Sequence, residues 1–223
     1  MKKLILLLLT FNAFQLGAQN NFVGFKSGVT ITNISTSGIF SESDNRIGYI
    51  GGLCYEFILN EHFSVGSEIL YDQRGFTDDM FVTDDMGHET DKKVTIKFNY
   101  DYISVPIKTG YRFGKKFYGF SNVAVIPSIL ADATTILPTL DAAMNVIGSE
   151  TINVTKNVTK FDCAGLIEIG GGYKLTDMTC LFLSFGFQNS FLSITNTDYL
   201  EGDKIYHYGM ALNVGLKYAL TKD

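Results

Sequence analysis

The chain has 223 residues, with 18 Lys+Arg against 23 Asp+Glu and a formal net charge of −5, so no basic excess points to nucleic acid or an anionic lipid surface. It carries 18 Phe, 12 Tyr and 22 Gly but only 3 Pro, a composition rich in strand formers and too apolar for disorder, which predicts one folded domain. Cys54, Cys163 and Cys180 form no CxxC pair and are odd in number, which argues against a disulfide framework, and His62, His88 and His207 lack the spacing of a zinc site.

The N-terminus supplies Lys2 and Lys3, then an apolar core from Leu4 to Leu9, then Leu16-Gly17-Ala18 as a small-residue cleavage context. Residues 1–18 are therefore predicted to be a signal peptide, with the mature domain running from Gln19 to Asp223. The uncharged run from Leu4 to Ala18 is 15 residues, short of the roughly 20 that a membrane helix needs. No later apolar run approaches that length, and no Cys follows the apolar core as a lipoprotein signal would require.

From Phe22 the pattern turns to period two: Val23, Phe25, Val29 and Ile31 oppose Gly24, Lys26, Gly28 and Thr30. A second strand is predicted over Arg46 to Leu59, with Ile47, Tyr49, Leu53, Tyr55 and Phe57 against Arg46, Gly48, Gly52, Cys54 and Glu56. A third, Phe63 to Arg74, sets Val65, Ile69 and Tyr71 against Glu68, Asp72 and Arg74. The fourth, Thr95 to Phe113, sets Ile103, Val105, Ile107 and Tyr111 against Ser104, Lys108 and Arg112. The fifth, Phe117 to Ala131, is apolar on both sides and leaves its facing open. The sixth, Phe161 to Leu175, opposes Ile167 and Ile169 to Asp162 and Glu168. The seventh, Thr179 to about Ile194, aligns Leu181, Leu183, Phe185, Phe187 and Phe191, and the eighth, Tyr206 to Leu220, opposes Met210, Leu212, Val214 and Tyr218 to His207, Asn213 and Lys217.

The connections alternate in length. Asn60-Glu61-His62, Gly114-Lys115-Lys116 and Thr176-Asp177-Met178 read as tight turns, whereas Asn33 to Asn45, Gly75 to Val94, Asp132 to Lys160 and Thr195 to Ile205 read as long polar loops. Short turns at one end and long loops at the other describe an eight-stranded antiparallel up-and-down transmembrane barrel, all-β, with periplasmic turns and extracellular loops. An interfacial belt of rings is predicted at the turn end from Phe22, Phe57, Phe63, Tyr111, Phe113, Phe117, Tyr118, Tyr173 and Tyr218. A secreted lipocalin-like barrel has the same alternation but buries its apolar face inward. The glycine-rich face with Lys26, Glu56, Glu68, Lys108, Glu168 and Lys217 at mid-strand suits a crowded lumen instead, so the outer membrane is the expected location.

The stretch Val23-Gly24-Phe25-Lys26-Ser27-Gly28-Val29 with Thr32-Asn33 resembles the opening strand of the PorT-like outer-membrane β-barrel proteins of Bacteroidetes. Tyr102-Ile103-Ser104-Val105-Pro106-Ile107 is similar to that family's Tyr-Leu-Glu-Ile-Pro strand, with Ser104 where the family often has Glu. Asp162 to Tyr173, with Gly170-Gly171-Gly172-Tyr173, and Leu212 to Leu220 match as well. The named member of that family is linked to a protein secretion system, so the resemblance implies secretion machinery or other envelope proteins as partners, and it implies no catalytic residues.

No GxSxG surrounds any serine, and His207 alone among the histidines falls near a predicted strand's outer end, so no catalytic, cofactor or metal site is expected. In the second long loop Thr77-Asp78-Asp79-Met80 is echoed by Thr83-Asp84-Asp85-Met86; these carboxylates are candidate hard-cation ligands, but without EF-hand spacing they read as solvated charge. Asn153-Val154-Thr155 and Asn157-Val158-Thr159 fit the N-glycosylation pattern by chance in a chain with a bacterial resemblance. The luminal set is predicted as Lys26, Arg46, Arg74, Lys108, Arg112, Lys174 and Lys217 against Glu56, Glu68, Asp72, Asp162 and Glu168, with Glu68 and Glu168 serving Lys26, Lys108 and Lys217. A β-bulge is predicted beside Pro106 and beside Pro127, since each lacks a ladder donor and a closed barrel has no edge strand. Two functions fit: a non-enzymatic structural or partner-binding barrel, or a small passive pore, the first favoured because eight strands enclose little more than side chains.

Overall fold

The computed structural model describes residues 21–36, 43–83, 86, 88–195 and 204–220, and the predicted signal segment lies outside them. Ten strands form one antiparallel sheet: β1 (Asn21–Ser35), β2 (Asp44–Ile58), β3 (Phe63–Thr83), β4 (Glu89–Ser104), β5 (Ile107–Gly114), β6 (Phe117–Leu140), β7 (Val146–Asn153), β8 (Phe161–Lys174), β9 (Thr179–Ser190) and β10 (Tyr206–Ala219). The sheet closes because β1 pairs β2 on one side and β10 on the other, from Phe22↔Ala219 to Ser35↔Tyr206. β4 and β5 are two pieces of one stave, interrupted at Val105-Pro106, and β7 is an outgrowth of β6, so the ring has the predicted eight staves.

Parity decides which way each side chain points. On β1, Val23, Phe25, Val29 and Ile31 face out, while Lys26, Thr30 and Thr32 are buried inside. From Val23 to Ile31 the apolar stripe rises about 20 Å along the axis, at about 3.4 Å per residue and a tilt near 40°, close to the height of a lipid-facing band. β6, whose facing periodicity left open, turns Val123, Val125 and Ile129 outward and Tyr118, Ile126 and Leu130 inward. The belt at the turn end loses two of its predicted members: Phe22 and Tyr118 point into the lumen and pack with Cys180 and Ala219. Phe63, Tyr111, Phe113, Phe117 and Tyr218 are exposed on the outer wall as predicted, with Phe63 edge-on to Tyr111 at 5.5 Å.

Two of the predicted long loops are strands. β3 runs on to Thr83 against β4, register unbroken from Leu70↔Ser104 to Phe81↔Lys93, and β6 runs on to Leu140 and folds back as β7. Polar residues interrupt the apolar alternation in both stretches, Asp78 between Phe76 and Met80 on β3 and Thr135 between Ala133 and Leu137 on β6, a pattern that sequence periodicity assigns to loops. The inner face of the β3 extension buries Phe76 and Val82, while its outer face is held by cross-strand pairs: Thr95 Oγ1 donates to Asp79 at 2.6 Å and the Lys93 ammonium sits 4.6 Å over the Phe81 ring.

The predicted proline bulges are absent. Pairing keeps one offset across the β4–β5 break, from Leu70↔Ser104 to Ser67↔Ile107, and Pro127↔Cys163 lies in an unbroken run. Each proline keeps the one bond it can make: Pro106 O accepts from Glu68 N at 3.1 Å, and Pro127 O accepts from Val105 N at 2.9 Å. The missing donors thus fall on the two sides of a single stave, which is interrupted there instead of bulged. Register shifts occur elsewhere, between Asp101 and Tyr102 against β6 and between Asn45 and Ile50 against β3.

The second shift faces Gly75, whose φ of +151° favours glycine. Its backbone is clasped from across the lumen by one hydroxyl: Thr32 Oγ1 accepts from Gly75 N at 3.0 Å and donates to Gly75 O at 2.9 Å. A Cβ at position 75 would collide with Phe98 O. Gly75→Ala is expected to destabilise the barrel by about 1–3 kcal/mol, read from the urea midpoint of unfolding in vesicles; an unchanged midpoint would contradict this account.

Candidate functional site

The lumen is the chemically rich part of the molecule, and parity puts its groups there: the inward residues of the staves include Lys26, Glu68, Asp72, Arg74, Asp162 and Glu168, interspersed with apolar side chains such as Leu70 and Ile126. They form successive tiers. Nearest the turns, Lys217 on β10 reaches Glu56 on β2 at 2.8 Å, its ammonium 4.6 Å over the Phe182 ring, and the Arg112 guanidinium lies 4.7 Å over Tyr118.

The middle tier is a four-membered ion cluster. Glu68 Oε1 lies 2.8 Å from Lys108 and Glu68 Oε2 lies 2.7 Å from Lys26; Glu168 Oε2 lies 2.7 Å from Lys108 and its Oε1 3.8 Å from Lys26. Asn122 Nδ2 and Ser184 Oγ donate to the Glu168 carboxylate at 2.7 and 3.0 Å. Four buried ions from four staves satisfy one another, as groups too costly to bury alone must.

Above it Arg74, 1% exposed, donates from all three of its guanidinium nitrogens. Nε donates to Asp72 at 2.7 Å, Nη1 to Asp162 at 2.5 Å, and Nη2 to Ser104 and Ser128 at 3.2 and 3.1 Å, while the guanidinium lies 4.7 Å over Tyr102. Ser104, at the position where the resembled family often has Glu, thus serves as a neutral acceptor to a cation that already has two carboxylates. Ser190 Oγ donates to Asp162 at 2.7 Å.

The extracellular mouth is closed by an apolar layer. Phe76, Phe98, Tyr100, Tyr102 and Leu130 on the staves meet Val158, Ile194 and Ile205 from the connecting segments, with Phe76 and Phe98 stacked at 4.4 Å. Between the ion tiers lie voids of about 20 Å³, one flanked by Lys26, Asp72 and Glu168, another by Glu56, Glu68 and Lys108, each about the size that holds one water.

Most of the predicted luminal charges meet as expected. Lys26 and Lys108 share Glu68 and Glu168, but Lys217, assigned to that pair from sequence, takes Glu56. Its register explains the change, because Lys217 lies level with Gly24, two residues nearer the turns than Lys26. Arg46 makes no ion pair with Asp72 or Asp162; its Nε donates to Asn99 at 2.6 Å and its Nη1 to Arg74 O at 3.3 Å. The apolar closure was not legible, since Val158 and Ile205 lie outside any periodic segment, Ile194 is at the very end of one, and only the three-dimensional return of their chains brings them over the mouth.

His207 is buried against Tyr100 and Tyr102 at 5.0 and 6.1 Å between ring centres, and neither ring nitrogen has a hydrogen-bond partner among the described residues. Of the acidic candidates, Asp78 and Asp79 are neighbours on β3 and point to opposite faces, and Asp84 and Asp85 lie outside the described residues. Among the described residues no three His, Cys, Asp or Glu are placed to hold a metal ion. Cys54, Cys163 and Cys180 are free thiols.

Arg74→Leu strands two buried carboxylates and is expected to cost about 3–5 kcal/mol of unfolding free energy. Glu68→Ala should cost less, about 1–3 kcal/mol, because Glu168 still faces both lysines. Equilibrium unfolding of the two variants in detergent micelles checks the order, and the reverse ranking would refute the tiered description.

The model of the family described as outer membrane protein beta-barrel domain matches residues 17–221. No curated protein matches the chain. Among solved structures it is similar to Neisserial surface protein A, at 10% identity over 88% of this chain and 96% of that one, with a TM-score of 0.48. Ail, the attachment invasion locus protein of Yersinia pestis, matches at 11% identity over 89% and 99%, with a TM-score of 0.42. The outer membrane protease OmpT from Escherichia coli matches at 10% identity over 89% and 96%, with a TM-score of 0.43.

Proposed function

Because the chain belongs to the outer membrane protein beta-barrel domain family, we propose that it acts as a sealed, non-enzymatic outer-membrane barrel that presents its extracellular sheet to a protein partner. The observation that carries this reading is the filled lumen: among the described residues, ion tiers cross mid-barrel with voids of about 20 Å³ between them, and an apolar layer lies over the mouth. A passive pore would need a wetted route along the axis, and Arg74 with its four side-chain partners stands across it.

Partner binding is supported by where the chain spends its length. β3 and β6 have 21 and 24 residues, about twice the roughly 10 needed to cross a bilayer, and their outer halves with β4 and β7 stand above the membrane. The resemblance to PorT-like proteins supports secretion machinery or other envelope proteins as the class of partner. We further propose that residues 1–18 are removed as a signal peptide, which N-terminal sequencing of the mature protein would check at Gln19.

Planar-bilayer recording tests the seal. The purified protein is expected to give no steady single-channel steps, and defined unitary conductance would overturn the reading in favour of a pore. A pull-down from detergent-solubilised outer membrane tests the partner: a stable envelope complex is expected, and one that persists when residues 89–97 and 132–153 are trimmed to a short turn would remove the extracellular sheet from the account.

A further inference from the structure

The lipid-facing wall is not evenly covered. Gly119 on β6 and Gly171 on β8 are register partners near the turn end. The Phe113 ring lies over Gly119, whereas a Cβ on Gly171 would find nothing nearer than Tyr118 O at 3.6 Å. Around this bare stretch is an open groove of about 460 Å³, walled by Phe113, Ile169, Leu183 and Phe185, with Ser121 its one outward polar side chain. One row nearer the periplasm, Phe117 and Tyr173 close it with ring centres 4.5 Å apart. The backbone at its floor is fully engaged in the β6–β8–β9 ladders, so the occupant need bring no hydrogen bonds.

Charge distinguishes this sector from the rest of the turn end. Directly below the groove is Gly114-Lys115-Lys116, tied to β8 by Lys174 N donating to Lys116 O at 2.9 Å, and the Lys116 ammonium lies 5.4 Å over the Tyr173 ring. The β2–β3 turn carries Glu61, and the β8–β9 turn at the groove's far edge carries one acid, Asp177, against the two cations of Lys115 and Lys116. Two cations at headgroup depth beneath an apolar groove at acyl-chain depth match one kind of molecule.

We propose that this groove binds a single anionic phospholipid of the periplasmic leaflet, an acyl chain lying over Gly171 and the phosphate beside Lys115 and Lys116. The proposal rests on the membrane orientation adopted above, with short turns periplasmic. A volume of this size falls within the roughly 300–1,000 Å³ of small-molecule pockets.

The test uses the purified mature barrel in zwitterionic micelles, titrated with phosphatidylglycerol or with phosphatidylcholine of the same chains, and native mass spectrometry to count lipids retained. One phosphatidylglycerol per barrel is expected, held in preference to phosphatidylcholine. Gly171→Phe fills the groove at a position with room for a side chain and should weaken retention of either lipid by about tenfold, the equivalent of about two methylene contacts. Lys115→Ala with Lys116→Ala should abolish the headgroup preference and leave chain binding in place. A heat-dependent gel shift confirms that each variant is folded, with Gly171→Leu replacing the Phe variant if that one is not. Equal retention by wild type and the filled variant would overturn the proposal, as would a dimer of the chain that the filled variant disperses. A folded, non-conducting barrel that retains no lipid would refute this inference and leave the proposed function standing.

Discussion

In hydrocarbon, each unpaired backbone amide costs several kcal/mol, and the register between β1 and β10 is where the molecule meets that constraint. Once the first and last strands pair, no edge remains in the bilayer and the apolar parity of each stave must face out. The complementary parity is then confined to a cylinder too narrow for bulk water. Lys26, Lys108, Glu68 and Glu168 come from four different staves, and their mutual distances are set by closure, not by any local turn. The same confinement explains why all three nitrogens of Arg74 are engaged: with solvent excluded, a guanidinium needs protein acceptors.

The outer wall was legible because a half-buried strand writes its facing in alternate residues. Val23-Phe25 and Leu181-Leu183-Phe185-Phe187 could be assigned without any structure. The luminal charges were legible as a set, but their pairing depended on relative register, which is a property of two strands and not of one. That is why Lys217 was assigned to the wrong carboxylate while Lys26 and Lys108 were assigned to the right ones. The extracellular continuation of β3 and β6 was illegible because polar residues such as Asp78 and Thr135 take places on the inward face and break the apolar alternation that marks a strand in a sequence. Phe22 and Tyr118 show a related limit, since an aromatic at a strand end suits either a lipid interface or a small internal core.

The prolines show how a closed sheet absorbs a local defect. Pro106 and Pro127 lie on adjacent staves at the same level of the wall, and their missing donors both concern the stave formed by β4 and β5. Retaining Glu68 N to Pro106 O and Val105 N to Pro127 O keeps the registers on both flanks. A bulge would have moved Ser104 or Lys108 to the outer face, removing a partner from Arg74 or from the ion cluster.

The sheet that continues above the membrane is held differently from the barrel beneath it. β7 is exposed along its whole length and the outer part of β4 nearly so, so little apolar burial ties these strands to the rest, and their cohesion comes from ladder bonds open to water at every step. Below the Phe76–Phe98 stack the chain cannot open without exposing ions and amides to lipid; above it, strands can fray from the tip inward and re-form on a template that never melts. Amide exchange along β3 and β6 would accordingly divide each into a fast distal half and a slow proximal half, two kinetic domains within one continuous strand. Such an arrangement lets the exposed half change its sequence, or remodel around whatever it meets, without drawing on the stability of the half that keeps the molecule in the membrane.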